Sequence, residues 1–269
     1  MDTRAVEQAM RDVADAEIRP RFRALAEGDI STKSGPHDFV TVADTAAERA
    51  LTILLRDIRD IPVVGEEASA ADPLLEGTLA DVPAAWVVDP VDGTANFVKG
   101  SPTYAVMVAL VENGAATAGW ILHPETGDMF AAQAGQGATL NGERLAPTAP
   151  RDGDLQGLRA ALAVTYAPRE MAEGFERVAN TMQSSGVTRM CAGFDYADLA
   201  TGALDVMMFF RTKAWDHAPG AVIVRECGFA VRRLDGSDYL PAVPGEPLLI
   251  APEQVWGEVR DRLVAAVAQ

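Results

Sequence analysis

Two apolar runs that each end in carboxylates constrain this chain most. IPVVGEE (61–67) and WVVDPVDGT (86–94) both read as buried strands, Val-rich and uncharged until the acids arrive. A further acid, Asp216 in AWDHAPG, follows the apolar run LDVMMFF (204–210). In all three segments a strand is expected to give way to a loop at the carboxylate. Acids gathered in this way repel one another unless a cation lies among them. Oxygen ligands with no neighbouring His or Cys favour Mg2+ or Mn2+ over zinc. Spacing alone leaves other readings open. An Asp-x-x-Asp-Gly string is an ordinary turn, with Pro90 fixing φ and Gly93 permitting a sharp bend. Asp216 alone reads more readily as a helix N-cap than as a ligand, and Asp44, before TAAERAL, invites the same reading. An EF-hand is excluded, because the twelfth position from Asp89 is Gly100 and not Glu.

The rest of the chain alternates between the two periodicities. Val6, Met10, Val13, Phe22 and Leu25 predict a first helix over 3–27, bent near Pro20. A turn-rich loop (28–38) and a short strand (39–42) lead to a helix over 45–59, striped by Leu51, Leu54, Leu55 and Ile58. Strands follow at 104–111, 116–122 and 129–133, with an Asn-Gly hairpin signal in ATLNGERL (138–145). Beyond residue 150 the pattern predicts strands at 161–166, 204–210 and 247–252, with helices at 169–183, 195–202, 214–228 and 253–267. This order predicts a layered α+β architecture, antiparallel-rich in a first half (1–147) and more alternating in a second (148–269), joined as one compact unit.

Composition narrows the function. With 39 acidic and 23 basic side chains the formal net charge is −16, which argues against nucleic-acid binding. Cys191 and Cys227 provide neither a disulfide framework nor a zinc set, and fit reduced thiols in a cytoplasmic protein. The charged N-terminal stretch has no signal-peptide core, and no apolar run approaches the ~18 residues of a membrane helix. The one Gly-x-Gly (135–137) has no further Gly at dinucleotide spacing and opens no helix, and there is no phosphate-binding P-loop motif.

Taken together, GEE (65–67), WVVDPVDGTANFVKG (86–100) and WDHAPGAVIVRECG (215–228) resemble the signatures of the inositol monophosphatase family. KSGPHDFVTVAD (33–44), GWILHPETGDMFAAQAGQGATLNG (119–142) and the segment 200–205 agree in order and spacing. The resemblance implies an α-β-α-β-α sandwich of the sugar-phosphatase type. It implies Mg2+-dependent, Li+-sensitive hydrolysis of a small phosphorylated alcohol, with two or three Mg2+ ions, in a homodimer.

Residue by residue, the resemblance assigns Glu66, Asp89 and the Val91 carbonyl to one Mg2+, and Asp89, Asp92 and Asp216 to a second. A third, weaker ion is expected near Glu66. Asp44 and Thr94, with Glu66, are implied as the catalytic residues that orient and deprotonate water. Gly93 and Thr94 are expected to hold phosphate through their amides, and Asp92, Asp216 and Lys33 to border the substrate. Lys33 and Asp38 match positions beside the site. The alcohol side departs from the family pattern at Arg189–Gly193. It departs again near Phe209, where inositol-phosphate hydrolases carry an acid that contacts hydroxyls. Either Phe209 is simply core and Arg211 or Lys213 meets the substrate, or the alcohol is not inositol. Histidinol phosphate, a sugar phosphate and a 3′-phosphonucleotide are the alternatives, as is a non-catalytic regulatory member. His37, His123 and His217 lie at no metal-ligand spacing, and His123-Pro124 reads as a turn.

Overall fold

The computed structural model describes residues 3–33, 35, 39–147, 155–163, 167–186, 188–243, 245 and 247–267. The expected positions Asp38 and His37 lie outside them. The chain opens with α1 (Thr3–Val13), then β1 (Ile30–Thr32), β2 (Phe39–Thr41), α2 (Val42–Ile58), β3 (Val63–Gly65) and α3 (Glu66–Ala71). The strands β4 (Ala84–Asp92), β5 (Ala105–Glu112), β6 (Ala115–His123), β7 (Asp128–Gln133), β8 (Gly137–Leu140) and β9 (Glu143–Arg144) follow, with α4 (Thr94–Val98) between β4 and β5. The remainder comprises β10 (Arg159–Ala163), α5 (Arg169–Ala179), β11 (Ser184–Gly186), α6 (Ala192–Ala200), β12 (Val206–Phe209), α7 (Ala214–Glu226), β13 (Phe229–Arg233), β14 (Leu248–Pro252) and α8 (Trp256–Val267).

Strand β3 runs parallel to β4, and β4 to β9 form an antiparallel meander, giving a seven-stranded sheet. A second, five-stranded sheet has the order β11-β10-β12-β14-β13 and is mixed, with β10 parallel to both its neighbours. The period-2 alternation of side chains sorts the core into three clusters. Trp86 and Val88 of β4 face α1 and α2, whereas Ala85 and Val87 face α6 and α7. Met207 and Phe209 of β12 meet α6 and α7 from the other side, and Val206 and Met208 pack with α5 and α8. The layers therefore run α, β, α, β, α. Helix α7 is buried almost all round, as a helix between two sheets must be. Among the described residues no helix is long and apolar enough to cross a membrane.

Several local expectations need correction. The first helix does not run to residue 27. After Val13 it widens into a π-helical turn (Ala14–Ile18), tightens to a 3-10 turn (Arg19–Arg21) and stops. Pro20 offers no N–H to the ladder, and wide turns of this kind are how a helix absorbs such an interruption. Phe22 then leaves the helix to pack on Phe97 and Tyr104, at ring distances of 5.5 and 5.1 Å. The hairpin signal holds: Asn141 and Gly142 take φ of 53° and 82° between β8 and β9. The polar strand β11 (Ser-Ser-Gly) and β13 escape the hydrophobic pattern. For the strand expected at 161–166, β10 covers 159–163, and 164–166 fall outside the described residues.

Candidate active site

Of the carboxylates, only Asp92 ends a strand before a turn as expected; Asp89 lies inside β4, Glu66 opens a helix and Asp216 lies within one. Strand β4 continues through Asp89 to Asp92, and its pairing with β5 slips between those two residues. Pro90 cannot donate to the ladder, so the slip falls where a hydrogen bond is already missing. Glu66 begins helix α3 directly after β3, and the register Gly65↔Val88 carries it to the level of Asp89. Asp216 is neither on a loop nor an N-cap. Lys213 occupies the cap of α7, and Asp216 lies in its first turn. Asp44 likewise is not the N-cap of α2. Thr41 holds that position, and Asp44 closes the capping box by accepting from the Thr41 amide at 2.9 Å.

These four elements bring Glu66, Asp92, Gly93, Thr94 and Asp216 to one cavity of about 210 Å³. Asp89 lies beneath it, 1% exposed. Burial first, then Glu66, Asp92 and Asp216, push Asp89 well above the usual carboxylate range. Burial, Glu66 and Asp92 do the same to Asp216, which accepts no hydrogen bond among the described residues. Asp92 is also raised by burial, although the Gly193 amide (2.6 Å) and the Cys191 thiol (3.0 Å) donate to its Oδ2. Lys33 Nζ reaches Glu66 at 2.8 Å and Glu67 at 2.7 Å. Burial opposes the Lys33 charge, but the two glutamates outweigh it and hold the ammonium above its ordinary pKa.

Two backbone details fix this half. Gly93 adopts φ 84° and ψ 34°, and a Cβ there would meet the Thr103 carbonyl and Cys191 at 3.1 Å. Gly65 lies against Glu48, whose carboxylate carbon a Cβ would strike at 2.3 Å. Glu48 Oε2 and Oε1 accept the Glu67 and Ala68 amides at 2.8 and 2.9 Å, and so supply α3 with the cap that Gly65 lacks. The Thr94 hydroxyl stands 3.1 Å from Asp44 Oδ1 and 3.0 Å from the Val91 carbonyl. Asp44 is fully buried, and burial raises it to about 6 against the hydrogen bonds from Thr41. It is therefore ionised at neutral pH and able to accept a proton.

The far side of the same cavity is different in kind. Phe209 is 6% exposed, stacked on Tyr196 at 5.7 Å and against His217 at 4.6 Å. It is core and cavity wall at once. His217 Nε2 lies 2.7 Å from the Arg211 carbonyl, an acceptor only, so this nitrogen carries the proton. Its Nδ1 then accepts from the Tyr196 hydroxyl at 3.1 Å. Burial lowers His217 to about 4, which keeps it neutral. Lys213 pairs with Glu76 at 2.6 Å and lines a second, larger cavity of about 840 Å³ on the other side of Glu66. That cavity touches Lys33, Glu66 and Arg211, but not Asp92, Thr94 or Asp216.

A sequence model of the inositol monophosphatase family matches residues 2–269. The chain belongs to this family. The inositol-1-monophosphatase of Caulobacter vibrioides is 32% identical over 91% of this chain and 94% of its own length. The Nus factor SuhB of Escherichia coli (strain K12) is 31% identical over 88% of each. A solved IMPase/NADP phosphatase complexed with Mg2+ and phosphate superposes with a TM-score of 0.79 at 19% identity, over 95% of this chain and 92% of that one. The α-β-α-β-α sandwich expected from the sequence is the fold of the inositol monophosphatase family.

Sequence reasoning missed several residues of the site. Glu48 follows Asp44 by four positions and interrupts the apolar face of Ala47 and Leu51, a signal that an acid there has a partner. Asp195, 2% exposed and bonded to the Arg189 amide at 2.8 Å, is raised to about 8 by burial. Phe39 reaches the cavity from a strand 170 positions before Phe209 in the chain, and no local pattern announces it. Among the described residues no three acidic, His or Cys side chains are already drawn into a closed metal-binding group. The donor set nonetheless fits Mg2+. It consists of oxygens only, on separate rigid elements, and burial with the neighbouring carboxylates raises Asp89, Asp92 and Asp216.

Proposed function

We propose that this protein hydrolyses a small phosphomonoester with Mg2+. The observation that carries the reading is the pairing, in one cavity, of mutually repelling carboxylates with a Thr94–Asp44 hydrogen bond. Glu66, Asp89, Asp92, Asp216 and the Val91 carbonyl would hold Mg2+, which when bound polarises the phosphoryl oxygens and lowers the pKa of nearby water. We take two ions as the minimum, because the charges of Glu66, Asp92 and Asp216 all bear on Asp89.

The chain's own residues supply the rest. Thr94 directs its hydroxyl proton to Asp44, which leaves an oxygen lone pair facing the cavity to receive a proton from water. As the new O–P bond forms, the water proton passes to Thr94 and the Thr94 proton to Asp44. The ester P–O bond breaks, and the departing alkoxide takes a proton from solvent. Gly93, held in a left-handed turn, presents the start of α4 to the phosphate. Lys33, expected from the sequence beside the substrate, lines the neighbouring cavity and positions Glu66 through their ion pair. In H2 18O with Mg2+, the label is expected in phosphate and not in the alcohol. Label in the alcohol would remove the water-attack route.

A second reading has specific support, since relatives at 31–35% identity are named Nus factor SuhB. A purely regulatory member has no need of a Thr94–Asp44 pair. Unchanged biological activity in Asp44→Asn would favour that reading.

A further inference from the structure

Besides the carboxylates, the site cavity is lined by Phe39, Met190, Phe209 and Phe210, with Asp195 and Arg211 as further ionisable members. Several of its polar groups are already engaged inside the protein. Both His217 ring nitrogens are engaged, one by Tyr196 and one by the Arg211 carbonyl. The Cys191 thiol donates to Asp92, the Thr188 hydroxyl accepts from the Met190 amide at 3.0 Å, and one Asp195 oxygen accepts from the Arg189 amide. A ring bearing five free hydroxyls would bury some of them against the aromatic faces, which offer them no partner. An apolar ring would instead bury its surface on Phe209 and Phe210 and stack there. An apolar cavity of ~150 Å³ is enough for one benzene ring. The volume here, about 210 Å³, suits a phosphoryl group with one small ring.

We propose that the alcohol half of this site selects a phosphomonoester whose alcohol presents an apolar, ring-sized face, and that Phe209 with Phe210 and Met190 sets this preference over a polyol. The proposal rests on the phosphatase reading above and names the substrate class of that same site. Met190 is the adaptable member: it is 59% exposed and holds a positive φ of 55°, at the rim where an entering ring passes.

The test compares cyclohexyl phosphate and 2-phenylethyl phosphate with inositol 1-phosphate, all with Mg2+ and all on the same protein sample. Cyclohexyl phosphate is the hydroxyl-free counterpart of inositol phosphate, so the pair isolates the hydroxyls. The expected kcat/KM ratio favours the apolar esters by about tenfold or more. Phe209→Glu should lower that ratio by at least as much, because a carboxylate then accepts from ring hydroxyls. A ratio measured on one sample does not depend on the folded fraction. If Phe209→Glu does not fold, Met190→Gln at the rim should lower the ratio in the same direction by a few-fold. Equal or better turnover of inositol 1-phosphate by the unmodified chain would overturn the inference and leave the phosphatase reading intact. Release of phosphate from none of the three, nor from glycerol 2-phosphate, would overturn the phosphatase reading and the inference with it.

Discussion

The two halves of the cavity are built on opposite principles. One half crowds acids: burial and the neighbouring carboxylates, Glu66 among them, raise Asp89, Asp92 and Asp216, a repulsion that cations would relieve. The other half crowds rings around one neutral imidazole and one carboxyl, Asp195, that prefers its proton. On the proposed reading the first half carries the chemistry on phosphate, which is common to all phosphomonoesters, and the second decides which alcohol arrives. Substitutions in the two halves should therefore separate cleanly, rate from preference.

The largest effect is expected from Asp89→Asn. Asp89 lies at the centre of the acid cluster, so phosphate release should fall by about 10³-fold or more, with the fold kept. The same change removes a buried like charge, so the melting temperature of the EDTA-treated protein should rise by ~2–4 °C. Wild-type turnover would take Asp89 out of the site. Next comes Thr94→Val, which deletes the hydroxyl between water and Asp44. Its kcat should drop by about 10²–10⁴-fold with the Mg2+ requirement unchanged. A drop confined to KM would assign Thr94 to substrate binding alone.

Lithium is expected to inhibit by competing for the ion shared by Asp89, Asp92 and Asp216. Full activity in millimolar Li+ at modest Mg2+ would count against that assignment. Gly65→Ala probes the support beneath Glu66. Its methyl group strikes the Glu48 carboxylate at the cap of α3, and overpacking of this kind costs ~1–3 kcal/mol. The Mg2+ concentration for half-maximal activity should rise with it, because Glu66 is the first residue of that helix. A stability loss with unchanged Mg2+ dependence would separate Glu48 from the metal half.

The smallest effect belongs to the other half. Asp195 has a folded pKa near 8 against an ordinary value of 3.8, raised by burial. Between those values the folded state binds more protons than the unfolded one, so stability contributed by this group is lost as pH rises from ~4 to ~8. Asp195→Asn keeps an acceptor for the Arg189 amide without the charge. Its melting temperature should exceed that of the unmodified chain by a few degrees at pH 8.5, with the gap closing toward pH 4. A gap that widens on acidification would reverse the sign.

The same division explains what the sequence could and could not reveal. The acids stand out because a carboxylate after an apolar run is locally improbable, and a run such as WVVDPVDGT announces itself. The layered fold was legible from the order of periodicities. The way the acids are mounted was not. Pro90 makes a slip within β4 where a turn was expected, and Thr41 takes the cap that Asp44 was expected to occupy. The slip depends on a pairing partner far along the chain, Met107 across from Asp89, and Thr94 meets Asp44 only through the fold. The alcohol half is less legible still. Phe39, Met190 and Phe209 each look like core or loop residues in their own segment, and only the packing of β2, the α6 entry and β12 brings them to one wall.

The most direct test of the division is phosphate release by EDTA-stripped protein as Mg2+ is returned, using an alkyl phosphomonoester, alongside a calorimetric Mg2+ titration. Release should be absent without metal, rise with the Mg2+ binding isotherm, and vanish in Asp89→Asn. Release that persists in EDTA, or saturated Mg2+ binding with no release from any phosphomonoester, would contradict the assignment of the acid half to phosphate chemistry.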